Sequence, residues 1–268
     1  MFAREIREQR IDELRNMSKL DSLKIKIFAD GADLNGIKRM YANPLVKGFT
    51  TNPTLMRKAG VDSYEIFARR VLAAVPDRPI SFEVFVDDLP AMVQQAKVIA
   101  SWGPNVNVKI PVMNTRKEFT GSVIEELSQA GVAVNVTAVM TLDQVRKITK
   151  CLAPQTDAIV SVFAGRIADT GRDPLPHMAE AVQILKERSK AELIWASPRE
   201  LLNIFQADSI GCHIITVTND LLAKLSLVEK DLDSYSHETV EMFYKDAVAA
   251  GYSIDIVNAS ASAIRARS

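Results

Sequence analysis

NVNVKIPV, residues 105–112, is a short β-branched run that reads as a buried strand carrying one charge, Lys109. Strands of a parallel α/β core are apolar on both faces, and an ammonium buried among them is costly unless it is paired or gives up its proton. The second route is chemically useful. A desolvated lysine loses its proton more readily than a solvated one, and the free amine attacks carbonyl carbon. The competing reading is a strand-end lysine that snorkels to solvent or pairs with a carboxylate. The neighbouring strands must decide between them.

Outward from this stretch, β-rich runs alternate with segments of helical periodicity. Eight strands are expected, at Lys24–Asp30, Gly48–Thr51, Ile80–Phe85, Val106–Ile110, Val132–Val136, Ala158–Val162, Leu193–Ala196 and His213–Thr216. Between them, Tyr64, Phe67, Val71, Leu72 and Val75, and then Met92, Val93, Ala96, Ile99 and Ala100, recur at the spacing of helices packed on a sheet. No long Gly/Ser linker divides the series. The expected fold class is therefore α/β, a single (βα)8 TIM barrel with additional N-terminal and C-terminal helices, in preference to a doubly wound open sheet. The barrel domain is placed at 24–235. Residues 1–23 read as an N-terminal helical extension, and 236–268 as a C-terminal helix over His237 to Ala250 followed by a flexible tail.

Bulk properties exclude several classes. A chain of 268 residues suits one barrel, and 47% hydrophobic with 25% charged residues is an ordinary globular composition. Lys plus Arg and Asp plus Glu balance at 33 each, so no global field draws the chain to nucleic acid or to an anionic membrane. The N-terminal MFAREIREQRIDELRNMSKL mixes acids with bases, unlike a secretory signal, and no run approaches the roughly 20 apolar residues that span a bilayer. A cytoplasmic location is the expectation. Cys151 and Cys212 lack a C-x-x-C partner, and His177, His213 and His237 lack metal-ligand spacing, so neither a disulfide framework nor a metal is assigned. The terminal helices leave a homo-oligomer open.

In a barrel the C-terminal ends of all eight strands meet at one face, so polar residues there converge although remote in sequence. Asp30, Asn52, Glu83, Lys109, Asn135, Thr137, Ser161 and Ser197 each stand in or close an otherwise apolar run. Singly, Asp30, Asn52 and Ser197 read as helix caps and Thr137 as a turn residue. Together they supply a nucleophile, two carboxylates that can move protons around it, and neutral hydrogen-bonding groups. Arg166 and Arg199, after the sixth and seventh strands, with Ser197 beside the latter, read as a phosphate clamp, or equally as two surface ion pairs.

Seven motifs occur in an order and spacing that resemble the transaldolase family: ADGAD (29–33), GFTTNPTLM (48–56), FEV (82–84), VKIPV (108–112), NVTAV (135–139), SVFAGRI (161–167) and ASPRE (196–200). The resemblance runs from about Lys24 to Leu222. It implies a class I, Schiff-base enzyme that needs no cofactor and acts on phosphorylated sugars. Lys109 then resembles the imine-forming lysine, Asp30 the acid/base of carbon–carbon cleavage, and Glu83 with Thr137 the pair that holds the water of dehydration and hydrolysis. Asn52, Asn135 and Ser161 resemble groups that bind donor hydroxyls; Arg166, Ser197 and Arg199 match phosphate-binding positions. The related fructose-6-phosphate aldolases release dihydroxyacetone instead of transferring it, and resemble a pattern with glutamine at position 83 and tyrosine at position 163. Glu83 and Phe163 thus favour transfer. Gly31 and Pro198 depart from the family pattern, in ways that bear on donor or acceptor preference. Two readings from other classes remain: a sugar-phosphate-binding barrel without turnover, and a pyridoxal-phosphate lysine enzyme.

Overall fold

The computed structural model describes residues 19–254, which fall into two compact units, one of Asp21–Leu225 and one that takes in the described residues before Asp21 and after Leu225. Of the expected N-terminal helical extension over residues 1–23, residues 1–18 lie outside the described residues, as does the tail from residue 255. From Asp21 to Leu225 the chain is a closed barrel of eight parallel strands in sequence order. They are β1 (Lys26–Asp30), β2 (Val46–Thr50), β3 (Ile80–Glu83), β4 (Val106–Pro111), β5 (Val134–Val139), β6 (Ala158–Val162), β7 (Ala191–Trp195) and β8 (Ile214–Thr218). The TIM barrel expected from the βα alternation is the fold observed. β1 closes it by pairing β8 along its whole length, Lys26 opposite Ile214 through Asp30 opposite Thr218.

Helices fill the intervals: α1 (Leu34–Tyr41), α2 (Pro53–Lys58), α3 (Tyr64–Ala74), α4 (Leu89–Ala100), α5 (Gly121–Gln129), α6 (Leu142–Cys151), α7 (Ala164–Ala168), α8 (Pro174–Leu185), α9 (Leu202–Ser209) and α10 (Asn219–Ala223). Their starts are chemically marked. Asp33, Asn52, Ser63, Asp88, Thr141 and Asp173 each accept a backbone N–H in the first turn, and Thr141 forms a capping box with Gln144. The alternate residues Phe82, Val108, Val136, Val160, Leu193 and Ile215 are fully buried, as strands sandwiched between a filled lumen and a helical layer require.

The lumen itself divides by chemistry. Phe28, Ile159, Ile194, Ala196 and Ile214 form one buried apolar cluster, with Phe163 packed against it. Phe28 presses onto its cross-strand partner Gly48, where a Cβ would come within 2.5 Å of the ring, so a larger residue there would have to displace Phe28 from the core. Polar residues sit at both ends of the same strands: Lys26 and Glu192 at the N-terminal mouth, Asp30, Glu83 and Lys109 at the C-terminal mouth.

Strand limits shift from those read in the sequence. β2 starts at Val46 instead of Gly48, and β7 covers Ala191–Trp195 instead of Leu193–Ala196. β5 lies at Val134–Val139 instead of 132–136, because it continues through a bulge whose register slips between Val136 and Val139. Ala138 takes φ +61 there, a left-handed conformation for a non-glycine residue.

The second unit contains α11 (Leu232–Ala249), capped by Asp231, whose side chain accepts from the Ser234 N–H. This cap starts the helix five residues before the expected His237. No residue of α11 is buried, and Val240, Phe243, Tyr244 and Val248 are exposed. Among the described residues no helix is long and apolar enough to cross a membrane.

Candidate active site

Lys109 is 7% exposed. In β4 it lies opposite Glu83 of β3 and Asn135 of β5, all three inward-facing. Its ammonium donates to the Thr51 carbonyl at 3.0 Å and stands 3.6 Å from Glu83 Oε2. The second separation is an ionic contact, too long for a strong hydrogen bond. The lysine is thus held by one backbone acceptor beside a loosely engaged carboxylate.

Two carboxyls share this space. Burial pushes Asp30 above the ordinary carboxylate range, while Lys109 and the Thr50 hydroxyl pull it down. Glu83 is likewise raised, first by burial, with Lys109 opposing and Asp30 reinforcing. Like charges around one buried cation compete for it, so protons come and go here at a pH nearer neutrality than for solvated carboxyls. Tyr64, on α3, fixes Glu83 from behind: its hydroxyl donates to the Glu83 carbonyl at 2.9 Å and accepts from the Glu83 N–H at 2.6 Å.

The remaining inner residues form a hydrogen-bonded layer. Ser161 donates to Asn135 Oδ1 at 2.7 Å, and Asn135 donates through Nδ2 to Ser81 at 3.0 Å. Asn135 keeps one N–H and one lone pair for a ligand. Thr137 Oγ1, at the β5 bulge, is buried without a hydrogen-bond partner. A hydroxyl in that state suits a water or substrate oxygen, because leaving it unpaired costs about 1–3 kcal/mol. Asn52 performs the cap reading: its Oδ1 accepts from the Leu55 N–H at 2.9 Å, which leaves its amide donors.

At the expected phosphate position the backbone approaches closely. A Cβ on Gly165 would fall 1.5 Å from the Ser197 carbonyl oxygen, and the Gly165 N–H donates to Ala196 O at 3.2 Å. Ser197 adopts φ +58 at this crossing. The start of α7 and the loop after β7 are thereby locked together. Arg166 lies over the Phe163 ring, 5.5 Å from its centre. Arg199 forms a two-pronged pair with Asp169, with Nε 2.9 Å from Oδ1 and Nη2 on Oδ2. Both arginines pull the Asp169 carboxyl below its usual range, Arg199 foremost. Arg199 is thus engaged in an exposed ion pair, while Arg166 acts on the same Asp169 carboxylate only through its charge.

The lysine and its two carboxyls lie at one mouth of the barrel, as the strand-end pattern predicts; Arg166, Ser197 and Arg199 form a separate group on the sixth and seventh βα connections. Sequence reading missed Tyr64, Thr50, Ser81, Asp169 and Thr216. Tyr64 reads as one more residue of an apolar helix stripe, and the others as ordinary strand or loop residues. Among the described residues no three of His, Cys, Asp and Glu are grouped so as to hold a metal ion.

A closed barrel of parallel strands that gathers a buried lysine and two raised carboxyls toward the C-terminal ends of its strands is the class of fold and site seen here. The sequence pattern of the family described as Transaldolase/Fructose-6-phosphate aldolase matches residues 27–262, and the chain belongs to that family. A probable transaldolase from Dehalococcoides mccartyi is 35% identical over 202 residues, covering 75% of this chain and 90% of the relative. Probable transaldolase 2 from Listeria monocytogenes is 33% identical over 215 residues, covering 79% and 94%. Among solved structures, KGPDC from Streptococcus mutans superposes with a TM-score of 0.53 at 12% identity, covering 78% of this chain and 97% of that one, a likeness of fold alone.

Proposed function

We propose that the chain is a transaldolase that moves a dihydroxyacetone unit from a ketose phosphate to an aldose phosphate through a Schiff base on Lys109. The observation that carries this reading is the ammonium of Lys109, the one buried lysine among the described residues, held loosely between Glu83 and the Thr51 carbonyl within the influence of Asp30. Sedoheptulose 7-phosphate or fructose 6-phosphate serves as donor, and glyceraldehyde 3-phosphate or erythrose 4-phosphate as acceptor.

The Lys109 amine adds to the ketose C2 carbonyl, giving a carbinolamine that loses water to become the iminium ion. Glu83 and Thr137 hold that water and move its protons; the free Thr137 hydroxyl and the raised Glu83 carboxyl support this duty. The Asp30 carboxylate takes the C4 hydroxyl proton, the C3–C4 bond breaks, and its electron pair flows into the iminium to leave an enamine and a free aldose phosphate. The enamine carbon then attacks the acceptor aldehyde, Asp30 returns a proton to the new alkoxide, and water hydrolyses the iminium. Asn52, Asn135 and Ser161 bind hydroxyls of the three-carbon unit. Arg166, Ser197 and Arg199 receive the terminal phosphate.

Phe163 bears on the choice between transfer and release. It packs on the luminal apolar cluster and carries no acidic hydrogen, so it cannot protonate the enamine to free dihydroxyacetone. The test is a paired assay with fructose 6-phosphate, with and without erythrose 4-phosphate. Sedoheptulose 7-phosphate formed only with acceptor supports transfer. Rapid free dihydroxyacetone without acceptor shows an aldolase, and phosphate-dependent stabilisation without either product shows a binding barrel.

A further inference from the structure

Asp30 ends β1 between β2 and β8, and the hydroxyls that reach it are linked in series. Thr50 Oγ1 donates to Asp30 Oδ1 at 2.7 Å, and Thr50 Oγ1 is itself hydrogen-bonded to Thr216 Oγ1 of β8. Thr50 is 3% exposed and Thr216 8%, so bulk water does not compete for either hydroxyl. A hydroxyl carries one hydrogen and two acceptor lone pairs. While Asp30 is ionised the hydrogen of Thr50 is spent on Oδ1, so toward Thr216 it can only accept, and Thr216 is the donor. The series therefore has a polarity, from Thr216 through Thr50 to Asp30 Oδ1.

We propose that Thr50 and Thr216 are positioning residues that assign the working proton of Asp30 to its Oδ2 atom and keep its carboxylate form available for proton abstraction. The proposal rests on the reading of Asp30 as the acid/base of carbon–carbon cleavage. Oδ1 is already met by an incoming hydrogen, so a proton drawn from a substrate hydroxyl adds to Oδ2. The carboxylate also needs support. Burial alone drives Asp30 toward the neutral acid, which cannot act as a base, and the Thr50 hydrogen bond opposes that drive together with Lys109. The charged groups coupled to Asp30 are Lys109 from β4 and Glu83 from β3. β2 and β8 contribute the hydroxyls of Thr50 and Thr216, and a donor that is itself accepting a hydrogen bond is a stronger donor.

Valine has nearly the shape of threonine without the hydroxyl, so the T50V, T216V and T50V/T216V variants remove the series with little change in volume. The readout is the rising limb of the pH profile of kcat/KM for cleavage of fructose 6-phosphate in the presence of acceptor. Loss of a hydrogen bond to the charged form raises the pKa of a carboxyl. The limb should move up by about one pH unit in T50V and by a few tenths in T216V. T216V should add nothing in the T50V background, because Thr216 acts through Thr50. T50S should restore the original limb. A limb unmoved in folded T50V, or a T216V shift that adds in full to that of T50V, overturns the proposal. The underlying reading fails separately: a D30N variant with wild-type turnover removes Asp30 from the chemistry. In that case a 13C titration of the Asp30 carboxyl in the same variants still decides whether the hydroxyl series governs it, upward displacement in T50V supporting it and no displacement overturning it.

Discussion

Two lysines point into the same lumen, each beside a glutamate from another strand, and they differ in almost everything else. Lys26, near the N-terminal mouth, meets Glu192 at 2.6 Å, with side chains 44% and 34% exposed. Lys109, near the C-terminal mouth, stands 3.6 Å from Glu83, with side chains 8% and 19% exposed. The first pair is tight and wet, which makes it cheap and of modest worth. The second is dry and loose, so its partners are neither fully solvated nor fully satisfied. Charge in a strand is therefore not by itself a functional signal. Desolvation combined with incomplete pairing is, and in a parallel barrel it belongs at the mouth to which the strand C-termini point.

The contrast can be broken by exchanging roles. The K109M variant should lose at least about 10⁴-fold in transfer activity while remaining folded, because the nucleophile is gone; K26M should stay within about twofold of wild type, as expected for a rim ion pair. Steady-state assays of the two proteins side by side check this, and equal losses would erase the distinction. The glutamates extend the same comparison. E83Q should lower kcat by about 10²-fold or more, the contribution of a positioned acid/base, whereas E192Q should leave kcat intact. A smaller effect is expected at Phe163. The F163Y variant should raise acceptor-independent release of dihydroxyacetone by roughly tenfold, since the new hydroxyl can protonate the enamine but is not preorganised to do so.

The smallest effect concerns stability. Because the folded Asp30 holds its proton to higher pH than the unfolded chain does, its ionisation adds no cost to folding below the unfolded value, about pH 4. The cost grows as pH rises through the interval up to the raised folded value, and then levels off. D30N should therefore melt above wild type at pH 8, with the gap closing toward acid. Thermal unfolding across pH measures it, and a constant gap would rule out titration as its source.

Much of the barrel is legible in the sequence because each strand is a compact, mostly apolar run, and several of the runs carry a polar residue in or just after them. The limits are less so. β5 runs on to Val139 through a bulge, and a slipped register leaves no periodic trace. Among the proposed site residues, Lys109 stands out because its neighbours in β4 are apolar. Lys26 is just as odd in the sequence, and only three-dimensional exposure separates the two. Tyr64 is hidden by its place in a helical apolar stripe, although its hydroxyl clamps the Glu83 backbone. Thr50 and Thr216 read as β-branched strand residues, and their link depends on the closure of β1 between β2 and β8. Asp169 pairs with a residue thirty positions away, across two βα units, where spacing carries no information.

Reductive trapping tests the central claim most directly. The native protein is incubated with fructose 6-phosphate and borohydride, digested, and mapped by mass spectrometry. The account predicts a single dihydroxyacetone adduct at Lys109 and an unmodified Lys26. A folded protein with Lys109 unmodified, or with Lys26 labelled equally, would contradict it.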